Sequence, residues 1–347
     1  MDALDSALAW LLRASWQASV LVGLVLLAQG LLGRRLPARW RFALWWLVLA
    51  RLVLPVGPAT PFSLFNYPRL QVPATAPFQV AGPTSGFLAT LPWLWLAGVV
   101  FMVGRILWES QRLAYAVVRQ RPVTDSAVLD LLEDCKAAMK LHTPVVVVET
   151  PRVSCPALHG FLRPRLLLPR GLLQALSPEE LRYVFFHELG HLDRHDIATG
   201  WLMAALQAVH WFNPMVWFAF HRMRADRELA ADEAALWHSK PRENHAYGET
   251  ILKLLEGFAQ PVPLPAMVGI LEDQNQLRRR IRHIAQFGQV RQWPAISFLV
   301  FLVLALVCLT DGKRDASRSV PPGHRQVESG TLATEPDAKY QPPRSTG

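Results

Sequence analysis

Residues 187–191 read His-Glu-Leu-Gly-His, and a second helix-forming run, Asp-Arg-Glu-Leu-Ala-Ala-Asp, occupies 226–232. Two histidines four residues apart share one helical face, so His187 and His191 can each offer a ring nitrogen to a single metal ion. Glu188, one residue along, can then reach a water on that ion. Glu228 stands where a third ligand is expected. Two imidazoles and one carboxylate with a fourth position open to water are the layout of a zinc peptidase. Asp232, one turn after Glu228, would accept a hydrogen bond from the far nitrogen of a ligand histidine and fix its tautomer. Each piece has a plainer reading by itself: a helix that happens to carry two histidines, or a charged face on a surface helix. It is their combination that points to catalysis.

These residues need helices to carry them. Ser177-Pro178-Glu179-Glu180 supplies an N-cap, a proline at the first helical position and a glutamate at the third, so a capping box is predicted to open the helix two to three turns before the motif. The run RMRADRELAADEAALW around Glu228 is strongly helical. Between the two lies the uncharged stretch 197–220, long enough for a membrane crossing. A single crossing would put the histidines and Glu228 on opposite sides of a bilayer. The stretch is therefore expected to be either a buried helix pair or a re-entrant hairpin turning at Asn213-Pro214, and the hairpin is preferred. Within such a hairpin His210 and Asn213 would need protein or water around them. Upstream, residues 124–141 form an amphipathic stretch, Val145–Val148 a short buried strand, and 157–169 two edge strands interrupted by Pro164. An exposed strand beside the motif helix could hold a substrate backbone by strand addition, so 158–168 is a candidate, equally readable as a strand that completes the sheet.

Composition places this apparatus at a membrane. Hydrophobic residues make up 51% of the chain, with 13 Trp. Residues 14–33, 87–104 and 292–310 are each long and apolar enough to span, and a fourth span is read at 42–58 despite Arg51, which should face protein rather than lipid. The alternative for 42–58 is an amphipathic segment on the membrane surface. Arginines crowd 34–41, follow the 87–104 span at Arg105, Arg112, Arg119 and Arg121, and recur at 278–282 and 291. By the positive-inside rule the residues from 105 to 291 are cytoplasmic and both termini outside. The formal charge of +9 is then mostly topology and contact with anionic lipid, and direct nucleic-acid binding is not inferred from it. Asp2 and Asp5 argue against a signal peptide at the start. Cys135, Cys155 and Cys308 are odd in number and scattered, so neither a disulfide framework nor a thiolate metal site is expected.

The expected fold is a mainly α membrane protein with about four transmembrane helices and a cytoplasmic α+β zinc-peptidase domain inserted between the third and fourth. Its parts would be a three-span membrane domain at 1–110, the peptidase domain at 111–291, the last span at 292–310 and a disordered extracytoplasmic tail at 311–347, rich in Pro, Ser, Thr and Gly. Glu188 would act as general base, taking a proton from the attacking water and delivering it to the leaving amine. His245 and Tyr247 are candidates for holding the oxyanion, and equally well explained as packing and capping residues.

Four hydrophobic spans, FLRPRLLLP at 161–169, LSPEELRYVFFHELGHLDRHD at 176–196, WFNPMVW at 211–217 and RADRELAADEAAL at 224–236 together resemble the integral-membrane zinc peptidases typified by the BlaR/MecR beta-lactam sensor-transducers, which are related to thermolysin-like gluzincins. The resemblance runs from about residue 5 to 310. It implies a gluzincin-like domain with zinc on His187, His191 and Glu228, Glu188 as base, location in the bacterial inner membrane, and a protein substrate such as a cytoplasmic transcriptional repressor. Residues 311–347 depart from it, with no SxxK motif and too little chain for a penicillin-binding sensor domain, so beta-lactam sensing is not carried over. Three readings follow: a regulatory membrane peptidase, a housekeeping membrane protease, and a receptor or scaffold with a structural zinc. An open coordination position beside a base disfavours the last. Membrane lipid and a second copy of the chain are further candidate partners.

Overall fold

A computed structural model describes residues 2–54, 60, 63–66, 90–161, 163–240, 243–258, 274–288 and 292–310. The expected disordered tail at 311–347, residues 55–58 of the expected 42–58 span and residues 87–89 of the 87–104 span lie outside the described residues. The chain is mainly helical. Helix α1 is Asp2–Leu32, α2 Ala38–Val53, α3 Leu91–Val118 and α4 Ser126–Ala138. Strands β1 Val146–Thr150, β2 Ala157–His159 and β3 Arg165–Pro169 follow, then the single turn α5 Leu172–Ala175. Helices α6 Pro178–Asp193, α7 Asp196–Val209, α8 Pro214–His238, α9 Asn244–Phe258, α10 Gln274–Ala285 and α11 Pro294–Cys308 complete the order.

The strands form one sheet in the order β1-β3-β2, β3 running parallel to β1 and antiparallel to β2. Gly160 lets the chain reverse between β2 and β3: its φ is +92° and a Cβ there would lie 2.8 Å from the Arg163 carbonyl. The expectation of two edge strands at 157–169 is corrected for β3, which is paired on both sides, so its backbone groups are already used. Strands β1 and β2 are the two edges of this sheet, and the outer side of β1 meets Pro122 through an isolated bridge at Val148.

Among the described residues two large apolar cores result, with a small third cluster where Leu113 and Val117 of α3 meet Val148 and Leu167 of the sheet. One packs α4, the sheet, α6, α9 and α10 around Leu168, Phe185, Phe186 and Tyr247. The other packs α1, α2, α7, α11 and the first half of α8 around Leu21, Trp45, Met203 and Phe220. Helix α8 belongs to both, giving Val216 through Ala230 to the second core and Ala235 and Leu236 to the first.

Among the described residues two helices are long and apolar enough to cross a membrane, Leu4–Arg35 and Leu91–Val118, while Pro294–Cys308 is apolar but shorter. The apolar window of the Leu91–Val118 helix is only 6% buried, leaving Trp93, Leu94, Phe101 and Trp108 more than half exposed. A face that large and apolar needs a non-aqueous neighbour. Arg51 of α2 is 2% exposed and donates to Gln17 of α1, so it does face protein. Stretch 197–220 folds as a helical hairpin, α7 against α8, turning at Asn213-Pro214 with the Asn213 side chain capping the Met215 amide. The polar groups at its tip find partners on α1: His210 Nδ1 sits 2.7 Å from Ser15 Oγ, and Asn213 Nδ2 donates to Ser15 O and Ser19 Oγ. Trp95 of α3 donates to the Val209 carbonyl at the same tip.

Candidate metal centre

Helix α6 opens on the capping box read from the sequence: Ser177 Oγ accepts from the Glu180 amide at 3.2 Å and Glu180 accepts from the Ser177 amide at 2.7 Å. The motif lies in its last turns, mostly buried. Gly190 matters to what happens next, because a Cβ there would sit 3.2 Å from the Ala234 methyl and 3.9 Å from Ala231 Cα. The missing side chain lets α6 and α8 approach closely enough for Glu228 to reach the two histidines.

Glu228 Oε2 lies 3.5 Å from His187 Nε2 and 3.8 Å from His191 Nε2. The three ligand atoms all fall within 4.8 Å of one another. A tetrahedral ion with bonds of about 2.0–2.1 Å has ligand atoms about 3.4 Å apart, close to the separations of Glu228 from the two histidines. Glu228 Oε1 is buried without a hydrogen-bond partner among the described residues, as suits a carboxylate whose second electron-rich atom meets a cation. The donor set and its spacing thus fit a divalent metal of the zinc kind.

Behind each ligand stands a charged partner. His187 Nδ1 is 3.2 Å from Asp232 Oδ1 and 3.0 Å from the Tyr247 hydroxyl, which itself donates to Asp232 at 2.7 Å. Arg280 grips the same carboxylate from the far side, Nε and Nη2 donating at 2.9 and 2.8 Å. His191 Nδ1 is 2.7 Å from Asp196 Oδ2, which also accepts from Arg194 at 2.7 Å. Arg227, 1% exposed, places Nε 3.9 Å from Glu228 Oε1. The far nitrogens of both imidazoles are thereby held against carboxylates, and both near nitrogens are free to turn toward one point.

Electrostatics agree with a cation site. Burial alone would lower the His187 pKa, but the Asp232 and Glu228 carboxylates outweigh it and push it up to about 9. Glu228 is held well below the usual carboxylate range: burial opposes this, and the two histidines and Arg280 prevail. Asp232 is likewise lowered, chiefly by Arg280 and His187 against the cost of burial. Glu188 behaves differently. Burial is its largest influence and raises its pKa toward that of a useful proton acceptor, with the histidines pulling the other way. Its carboxylate makes no hydrogen bond or ion pair among the described residues.

The BlaR1 peptidase M56 family matches residues 9–284, from α1 to the end of α10. The chain belongs to that family. Within the M56 match lie every site residue named above and the whole α7–α8 hairpin. Among curated relatives, the regulatory protein BlaR1 of Bacillus licheniformis is 27% identical over 214 residues, covering 62% of this chain and 35% of the relative. The methicillin resistance mecR1 protein of Staphylococcus aureus is 23% identical over 196 residues, covering 55% of this chain and 34% of the relative. The chain therefore spans about a third of the length of the curated relatives it matches.

The structure brings His187, His191 and Glu228 together, sets Glu188 one residue from the first, and puts Asp232 behind it. Tyr247 is fully buried behind His187, on the side away from Nε2, which suits a packing and orienting residue better than an oxyanion donor. His245 points to Glu249 at 3.3 Å, its side chain 87% exposed, and takes no part. Sequence reasoning missed Asp196, Arg194, Arg227 and Arg280. In sequence Arg280 reads only as part of the 278–282 charge run.

Proposed function

We propose that this chain is a membrane-bound zinc metalloendopeptidase that cuts a cytoplasmic or membrane-proximal protein in signal-regulated proteolysis, with inactivation of a transcriptional repressor as the leading case. The observation that carries the reading is the convergence of His187 Nε2, His191 Nε2 and Glu228 Oε2 beside the unpaired carboxylate of Glu188. In it, His187, His191 and Glu228 hold the metal, Glu188 is the catalytic base, and Asp232 fixes His187.

A zinc ion on these ligands would supply Lewis-acid polarisation of the scissile carbonyl and a lowered pKa for the attacking water. Glu188 accepts the proton released from that water, and burial, which raises its pKa, makes it a stronger proton acceptor than an exposed carboxylate. It then hands the proton to the departing amide nitrogen. Asp232 and Asp196 keep the two imidazoles in one tautomer and orientation throughout. Strand β2, which contacts α6 and has an open edge, is the place for an extended substrate backbone to add.

The membrane reading has four spans, at 14–33, 42–58, 87–104 and 292–310, with residues 105–291 on the cytoplasmic side of a bacterial inner membrane. The domain division at 110, 291 and 310 goes with it. The polar tip of the α7–α8 hairpin, bonded to Ser15 and Ser19 inside the first apolar run, supports a hairpin that enters the bilayer alongside α1. The regulatory role is carried from the Bacillus licheniformis relative, whose name states one.

The test is cleavage in membranes. Vesicles carrying the chain are incubated with candidate transcriptional repressors of the same genome, with Glu188→Gln as control. A single new repressor terminus that Glu188→Gln abolishes supports the proposal. An intact repressor alongside degraded membrane proteins would replace it with a housekeeping protease.

A further inference from the structure

Helix α8 contributes to both large cores, and its buried carboxylates reach further than the metal. Asp226, two residues before Glu228, is fully buried. It accepts hydrogen bonds from Gln29 Nε2 of α1 at 3.0 Å and from Trp45 Nε1 of α2 at 2.7 Å, and it pairs with Arg279 of α10 at 2.5 Å. Glu233, five residues after Glu228 and 4% exposed, accepts from the Arg39 amide in the first turn of α2 at 3.2 Å and from Gln292 just ahead of α11 at 3.0 Å. The two attachments run along α2 in reverse order, Arg39 to Glu233 and Trp45 to Asp226, so α2 and α8 lie antiparallel and are tied on both sides of the third ligand. Arg279 and Arg280, neighbours on α10, take Asp226 and Asp232 respectively, joining the membrane-facing node to the carboxylate behind His187.

Burying a carboxylate among apolar helices costs several kcal/mol, and apolar residues of the same volume would pack such a seam as well or better. What three donors on three different elements provide is one fixed relative position. From Asp226 to Glu233 α8 is continuous helix, so a displacement of α1 and α2 carries Glu228 with it. Metal ligation tolerates only about 0.2 Å. We propose that Asp226 is a positioning residue through which α1 and α2 set the placement of Glu228 against His187 and His191, so that movement of the membrane helices is read out as a change in metal geometry. This rests on the metal-site reading above.

The experiment uses the full chain in detergent, loaded with Co²⁺ as a spectroscopic probe, comparing wild type with Asp226→Asn and Trp45→Phe. The second variant removes one N–H and keeps an aromatic ring, and it lies on another helix, hydrogen-bonded to Asp226 and to none of the ligands among the described residues, so it decides the matter even where Asp226→Asn fails to fold. The expected result is an altered visible d–d spectrum and about tenfold weaker metal binding, by chelator competition, in variants that remain folded, whatever the fall in unfolding temperature from the lost buried contact. A merely structural role for the node would lower the unfolding temperature and leave the spectrum alone. A wild-type spectrum and affinity in folded Trp45→Phe would overturn this inference and leave the metal site standing. If wild type itself takes up no Co²⁺, the metal site and the inference fall together.

Discussion

Asp196 Oδ2 lies 2.7 Å from His191 Nδ1, although the two residues are five apart and would diverge on an unbroken helix. The chain brings them together by ending α6 at Asp193 and turning through His195, whose φ of 56° places it in the left-handed region, so that Asp196 begins α7 pointing back at the motif. Arg194 steadies the same carboxylate at 2.7 Å. Asp196→Ala should therefore weaken zinc binding by about ten- to a hundredfold while the chain stays folded. Equilibrium competition against a chromogenic chelator measures this. Unchanged affinity would mean that the contact does not orient His191.

Gly190 offers a test of helix spacing. Gly190→Val must force α6 and α8 apart at Ala231 and Ala234. Overpacking of this kind costs about 1–3 kcal/mol and here would also stretch the Glu228 to histidine separations. Lower unfolding temperature together with lost metal is the expected pair of results. Gly190→Ala should show a weaker version of both.

The capping box provides a pH dependence. The Glu180 pKa is lowered: a small burial cost raises it, and the Lys253 ammonium and the Ser177 amide more than reverse that. A group with a depressed folded pKa contributes stability above its unfolded pKa and loses it as the pH falls through the folded one. Glu180→Gln should thus be less stable than wild type at pH 7, by about 0.5–1 kcal/mol for a partly exposed cap and pair. Thermal melts should show the difference shrinking as the pH is lowered below about 4.3, the ordinary glutamate value.

Cys135 is buried to 1% exposure, and burial pushes its thiol pKa up to about 12, with Asp134 adding to it and Arg182 opposing. It should resist alkylation at neutral pH until the chain unfolds, whereas the partly exposed Cys155 should react in the native state. Mass spectrometry of iodoacetamide-treated protein distinguishes the two sites. Rapid native labelling of Cys135 would contradict the packing of α4 on α6.

Much of this architecture is readable before folding because its signals are local. The capping box, the i, i+4 histidines and the Asn213-Pro214 turn each depend on residues within one or two turns. The placement of Glu228 came from the motif's wider pattern. What stayed hidden is set by tertiary contact. Asp196 needed the left-handed turn at His195, which no helical spacing foretells. Arg279 and Arg280 look in sequence like solvated charges at a membrane surface, and only the packing of α10 on α8 turns them into partners of Asp226 and Asp232. The pairing of β3 along both edges was likewise invisible, since a short apolar strand reads the same in the middle of a sheet as at its edge.

The most direct test of the central claim is zinc content measured beside cleavage in one set of purified proteins: wild type, His187→Ala, Glu228→Ala and Glu188→Gln. The account predicts about one zinc per chain in wild type and in Glu188→Gln, little in the two ligand variants, and cleavage in wild type alone. Zinc retained by both His187→Ala and Glu228→Ala, or full cleavage by Glu188→Gln, would contradict it.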